Sequence, residues 1–143
     1  MTTTDNSVSL LRRLAIIFYD FLLLTAVLLL ATALVQAWLQ EMTLFKLLLF
    51  RVYLVLVCFT YFSWQWLRGG QTLPMRTWHV RLQHIDPQKS ITLQQTIIRF
   101  SVAILSWAAL GMGFLWSLFD KQQRTWHDRA SKTRLVYDTT LLY

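Results

Sequence analysis

The first long apolar run extends from Leu14 to Val35 and contains one carboxylate, Asp20. At about 1.5 Å per residue, its roughly 22 residues reach about 33 Å, enough to cross a hydrocarbon core of about 30 Å. An ionised Asp inside such a helix costs about 2.5 to 3.5 kcal/mol on insertion scales. The sequence therefore predicts a membrane helix whose carboxylate is paired, protonated or functional.

A second apolar run, residues 45–67, follows after a short polar turn, and Gly69-Gly70 then ends it. Two such runs joined by a short turn predict an antiparallel helix hairpin. Arg12, Arg13 and Arg68 fall at the same end of that hairpin. The positive-inside rule places that end, and with it the N-terminus, in the cytoplasm. A cleaved secretory signal is disfavoured, because its apolar region should be only about 7 to 15 residues long and free of charge.

The third apolar run, residues 97–119, gives conflicting indications. Its length favours a helix that crosses once, and we predict crossing on that ground. The basic tail after it favours a return to the cytoplasmic side. Gly111 and Gly113 would permit a broken or re-entrant path.

The polar connection between the second and third runs contains Thr77 to Leu82, where bulky apolar and polar side chains alternate. This pattern predicts a short strand. We therefore expect an all-α membrane protein with a small β element in a loop. We also expect residues 1–9 to form a mobile polar tail, residues 10–137 a single transmembrane domain, and residues 138–143 a second tail.

The composition supports a membrane protein and limits the kinds of binding partner. The chain is 55% hydrophobic with a mean hydropathy of +0.42, above the usual apolar share of soluble domains. The formal net charge is +7, but the basic residues flank apolar runs. They therefore suit anionic lipid head groups rather than nucleic acid. The His and Cys residues show no metal-ligand spacing, and no phosphate loop or nucleophile motif is present, so we expect neither a cofactor nor an enzyme.

Charged residues inside or beside the apolar runs are the candidate site. Arg13 lies two helical turns before Asp20 and is its nearest predicted partner in sequence, with Arg99 as the alternative. We expect Arg51 to extend outward to head groups. Asp120 and Asp128 are each expected to pair with a neighbour from the list Lys121, Arg124 and Arg129. His127 is adjacent to Asp128 but is predicted to point elsewhere.

Four landmarks together resemble the RDD family of small bacterial membrane proteins, which is named for one Arg and two Asp. They are Arg13, Asp20, the stretch 70–76 and the stretch 126–133, and Asp128 is the second family aspartate. Two departures stand out. Pro74 replaces a usual Gly, and Ser131-Lys132 replaces an Ala-Gly pair. The resemblance implies a multi-pass protein of the bacterial inner membrane.

Two functions remain open at this point. The family resemblance implies transport, with cation/proton antiport suggested for some members, and Asp20 would then be the titrating carboxylate. Three helices are few for enclosing a pathway, so such a transporter would need to form a homo-oligomer or join a partner membrane protein. The alternative is a scaffold or accessory protein that presents a basic cytoplasmic surface to lipid or to a protein.

Overall fold

The computed structural model describes residues 8–41, 43–120 and 124–138. Two long helices come first, followed by short elements that close one end of them. In chain order the elements are α1 (Leu10–Val35), a 3-10 turn (Gln36–Gln40), α2 (Leu44–Gly69), α3 (Leu73–Thr77), β1 (Val80–His84), α4 (Leu93–Ala108), α5 (Met112–Leu115), a second 3-10 turn (Trp116–Leu118), α6 (Trp126–Ala130) and β2 (Thr133–Tyr137).

The predicted helix hairpin is present. Leu10–Gln40 and Leu44–Gly69 are long and apolar enough to cross a membrane by length and composition, with mean hydropathies of 2.5 and 1.9. Only 17% and 0% of their most apolar windows are buried inside the protein, unlike the core helix of a soluble domain. The helices run antiparallel, since Tyr53 near the start of α2 donates to the Ala31 carbonyl near the end of α1 at 3.2 Å.

Gly69-Gly70 ends α2 as predicted. Gly70 has φ +65° and its N–H donates to the Trp66 carbonyl, so it is the left-handed cap of the helix. A Cβ at this position would lie 2.6 Å from the Leu82 carbonyl oxygen. Strand β1 can therefore pack against the end of α2 because this residue is glycine.

The prediction that residues 97–119 cross as one helix is wrong, and the broken alternative is the observed one. Helix α4 ends at Ala108 after 16 residues, about 24 Å and short of a full hydrocarbon core. Leu110 and Gly111 then take φ values of +55° and +77°, which a continuous helix does not allow. The chain turns back, and the C-terminal elements lie beside the start of α1.

A two-stranded antiparallel sheet joins the middle of the chain to its end. Val80 pairs with Tyr137 and His84 pairs with Thr133. The predicted strand was placed slightly early, since Thr77 is still the last residue of α3. The sheet packs near the start of α1, where the Arg12 guanidinium lies 4.8 Å from the centre of the Tyr137 ring. This contact places β2 at the N-terminal end of the helix pair.

The hydrophobic core also lies at this end. It consists of residues from the segment before α1, from α1, α2 and α3, and from both strands, namely Val8, Ile16, Trp66, Met75, Val80, Leu82 and Leu135. Val8 belongs to the predicted mobile tail, yet it is fully buried and its carbonyl accepts from Arg13 Nε at 3.0 Å. Residues 1–7 and 139–143 of the two predicted tails lie outside the described residues.

Candidate functional site

The centre of the site is an ion cluster of Arg13, Arg99 and Asp128, which are 5%, 4% and 0% exposed. Arg13 Nη1 donates to Asp128 Oδ2 at 3.0 Å. Arg99 Nη1 donates to the other oxygen, Oδ1, and also to Thr133 Oγ1 at 2.9 Å. One carboxylate therefore joins α1, α4 and α6 through two guanidinium groups.

Two sequence predictions about these charges are wrong. Arg13 was expected to pair with Asp20, and Asp128 with a basic neighbour close to it in sequence. The same expectation is confirmed for Asp120, from which Arg124 and Arg129 lie 3.6 and 4.0 Å away, while Lys121 lies outside the described residues. The physical reason for the two wrong predictions is that the chain turns back after α4. This brings Asp128, a fully buried carboxylate, to two guanidinium groups that have no other anionic partner among the described residues.

Local sequence fixes where Asp128 points. Thr125 is the N-cap of α6, and its Oγ1 accepts from the Asp128 N–H at 3.3 Å. Asp128 Oδ2 in turn accepts from the Thr125 N–H at 3.1 Å. This reciprocal capping box turns the carboxylate back over the helix N-terminus, toward Arg13 and Arg99. The spacing Thr-x-x-Asp is the signal that could have identified Thr125 from the sequence.

The charges of the two Arg side chains keep the Asp128 carboxylate ionised. Burial alone would raise the pKa of Asp128, but Arg99 and Arg13 lower the pKa well below its usual range. His127 lies 3.9 Å from Asp128 Oδ1, so it belongs to the same cluster, contrary to the expectation that it points elsewhere. Burial, together with the charge of Arg99, lowers the pKa of His127 to about 3. The imidazole is therefore neutral at physiological pH.

Asp20 forms a separate site with hydroxyl partners. Thr72 Oγ1 donates to Asp20 Oδ2 at 2.8 Å, and Tyr61 Oη donates to Oδ1 at 3.4 Å. Asp20 is 5% exposed and forms no ion pair with any of the described residues. Arg13 lies roughly 10 Å away along the helix axis and is already bound to Asp128 and Val8.

Thr72 and Tyr61 were not identified from the sequence. Thr72 is the N-cap of α3, where its Oγ1 accepts from the Met75 N–H at 3.4 Å. The hydroxyl proton is then left for Asp20. A Thr before a Pro-containing helix start was a usable signal for the cap, but nothing local indicated that Asp20 lies opposite it.

A cavity of about 540 Å³ connects the two sites. Arg13, Asp20, Arg99 and His127 line its charged end. The remaining wall is mostly apolar and comes from α1, α2 and α4, with members such as Leu24, Leu54, Val55, Phe100, Ala103 and Ile104. Cavities of this size hold small molecules in many proteins.

Arg51, the remaining candidate, lies exposed on α2 and outside the cavity lining. The structure therefore does not bring it to the charged cluster. Among the described residues there is no group of three His, Cys, Asp or Glu side chains that could hold a metal ion.

Comparison with family models gives one match, the RDD family, over residues 7–132. The chain belongs to the RDD family. No curated protein and no solved structure matches it. RDD membership and the two long apolar helices together suggest a membrane protein. Of the Arg and two Asp in the RDD pattern, Arg13 and Asp128 are bonded to each other, whereas Asp20 is held apart by hydroxyl groups.

The two departures from the RDD pattern fit the backbone differently. Pro74 lies in the first turn of α3, where a missing N–H and a fixed φ are tolerated. Lys132 follows α6 with φ +53°, the left-handed conformation for which glycine is preferred. The first departure therefore costs little, and the second leaves a strained residue.

Proposed function

We propose that this RDD protein binds and releases a proton or a small cation at Asp20 as part of membrane transport. The observation that carries the proposal is the contrast between two of its buried carboxylates, Asp128 and Asp20. Asp128 is neutralised by two guanidinium groups, whereas Asp20 has hydroxyl partners and lines the cavity. A buried carboxylate without a fixed counter-charge favours the binding of a mobile one.

The partners of Asp20 suit either ligand. With Asp20 ionised, the hydroxyls of Thr72 and Tyr61 donate to it. With a cation bound, both hydroxyls can rotate and offer their oxygen lone pairs. The three side chains then present an all-oxygen set, which is the chemistry that hard cations prefer.

We place the protein in the bacterial inner membrane as a multi-pass protein with a cytoplasmic N-terminus. Arg12, Arg13 and Arg68 support this orientation. The basic tail also returns to that end through β2. Helices α1, α2 and α4 enclose only part of the cavity. A transport pathway would therefore need a homo-oligomer or a partner membrane protein.

Ion flux into liposomes that contain the purified protein tests the proposal. We expect Asp20→Asn to fold normally and to abolish flux, because Asn resembles the protonated acid but cannot ionise. Thr72→Val and Tyr61→Phe should each reduce flux, since each removes one oxygen. Asp86→Asn is the matched control, because Asp86 is a partly exposed aspartate that does not line the cavity. Full flux in a folded Asp20→Asn protein would overturn the proposal.

The alternative, a scaffold with a basic surface, is favoured by one separate feature. A groove of about 480 Å³ on another face of α2 is lined by Trp64, Arg68 and Arg76, and the Arg68 guanidinium lies 3.8 Å from the Trp64 ring centre. This arrangement suits an anionic head group. Wild-type protein without flux, together with loss of phosphatidylglycerol binding in Arg68→Gln/Arg76→Gln, would support the scaffold instead.

A further inference from the structure

The cavity has the two-part character of an amphiphile site. Its wall between α1, α2 and α4 is apolar, and its polar lining includes Arg13, Asp20 and Arg99. A purely polar solute would leave the wall without a partner, and a pure hydrocarbon would leave the charged end without one. A ligand that matches both parts has a chain and a polar head.

Two buried donors at the charged end indicate the chemistry of that head. Arg99 Nε and Trp66 Nε1 have no hydrogen-bond acceptor among the described residues. The two side chains are adjacent, with the Arg99 guanidinium 5.1 Å from the Trp66 ring centre, and both line the cavity. Buried N–H groups are rarely left without an acceptor, so the missing group is one that accepts hydrogen bonds.

The charges at this end favour an acceptor that is an anion. Arg13 and Arg99 contribute two positive charges, Asp128 removes one, and His127 is neutral. With Asp20 protonated the end carries one net positive charge, and with Asp20 ionised it carries none. In neither state does it repel an anion through an excess of negative charge.

We propose that the cavity binds one single-chain amphiphile with an anionic head group, a carboxylate or a phosphate. The head accepts from Arg99 and Trp66, and the chain lies along the apolar wall beside Ala103. The assignment is independent of ion exchange at Asp20, because it rests on the donors of α2 and α4.

Native mass spectrometry of the full chain, released from detergent micelles, tests this assignment with defined probes. Palmitate and lysophosphatidate distinguish a carboxylate head from a lipid phosphate, while hexadecanol supplies the same chain without charge. We expect at least one anionic probe to be retained at one copy per chain and at least tenfold more tightly than hexadecanol. Trp66→Phe keeps the ring and removes the N–H, so it should weaken retention about tenfold, the effect of one hydrogen bond to a charged group.

Two pairs of variants distinguish binding in the cavity from binding to other surfaces. Trp38→Phe makes the same chemical change on an exposed Trp and should leave retention unchanged. Ala103→Phe fills the cavity and should abolish retention, whereas Ala26→Phe on the exposed face of α1 should not. Equal retention of hexadecanol and the anions, or an unaffected Trp66→Phe protein, would overturn the assignment. It would also fail if Ala103→Phe dissociated a dimer that retains no amphiphile, because a second copy would then fill the cavity.

Discussion

Replacing Asp128 with Asn removes the negative charge that two buried guanidinium groups share. Asn keeps the size of the side chain and can still accept from the Thr125 N–H, so the cap of α6 survives. Its amide NH₂, however, would face one of the guanidinium groups. Because Arg13 and Arg99 are 5% and 4% exposed, water replaces little of the lost charge. Breaking a buried pair in this way costs about 3 to 5 kcal/mol.

Thermal unfolding of the detergent-solubilised protein measures this loss. At about 2 to 4 °C per kcal/mol for a chain of this size, Asp128→Asn should lower Tm by roughly 10 °C. Arg13→Leu/Arg99→Leu/Asp128→Leu should lie closer to wild type than Asp128→Asn, because apolar replacement of a whole buried cluster is often near neutral. Asp86→Asn is the control, since its ion pair with Lys89 is exposed and contributes less than about 1 kcal/mol. A Tm for Asp128→Asn within about 2 °C of wild type would refute the reasoning.

Three further outcomes follow from the backbone and from His127. Lys132→Gly should raise stability by about 1 kcal/mol in the same assay, because it relieves a left-handed residue; an unchanged or lower Tm would contradict this. Gly70→Ala should lower Tm, since its Cβ would meet the Leu82 carbonyl at 2.6 Å, and a neutral result would show that β1 can shift. The pKa of His127 is lowered to about 3, whereas an unfolded His titrates near pH 6.5. Below about pH 6.5 the unfolded state therefore gains a proton that the folded state lacks, and stability should fall by up to about 1.4 kcal/mol per pH unit until about pH 3. His127→Gln should flatten that part of the profile, and an identical slope in both proteins would exclude His127 as its source.

The hairpin could be predicted from the sequence because its determinants are local. Apolar length defines α1 and α2, and Gly70 marks where the second helix ends. The path after α4 could not be settled in the same way. Length favoured crossing, and the deciding interaction, Arg99 with Asp128, joins residues from separate elements.

The candidate site was predicted in its members but not in its pairings. Arg13, Asp20 and Asp128 were all identified, yet sequence proximity suggested the wrong partner for Arg13. The partners of Asp20 come from α2 and from the cap of α3. Ordinary Thr and Tyr residues carry no signal of such a role until the fold brings them opposite a carboxylate.

The ion pair between Arg13 and Asp128 can form only late in the synthesis of the chain. The two residues are 115 positions apart, and a ribosome adds about 5 to 20 residues per second. Arg13 is therefore synthesised roughly 6 to 23 s before the anion that neutralises it. A nascent chain that stops before Asp128 keeps two guanidinium groups without their counter-charge. The cluster that joins α1, α4 and α6 therefore closes only after α6 has been synthesised.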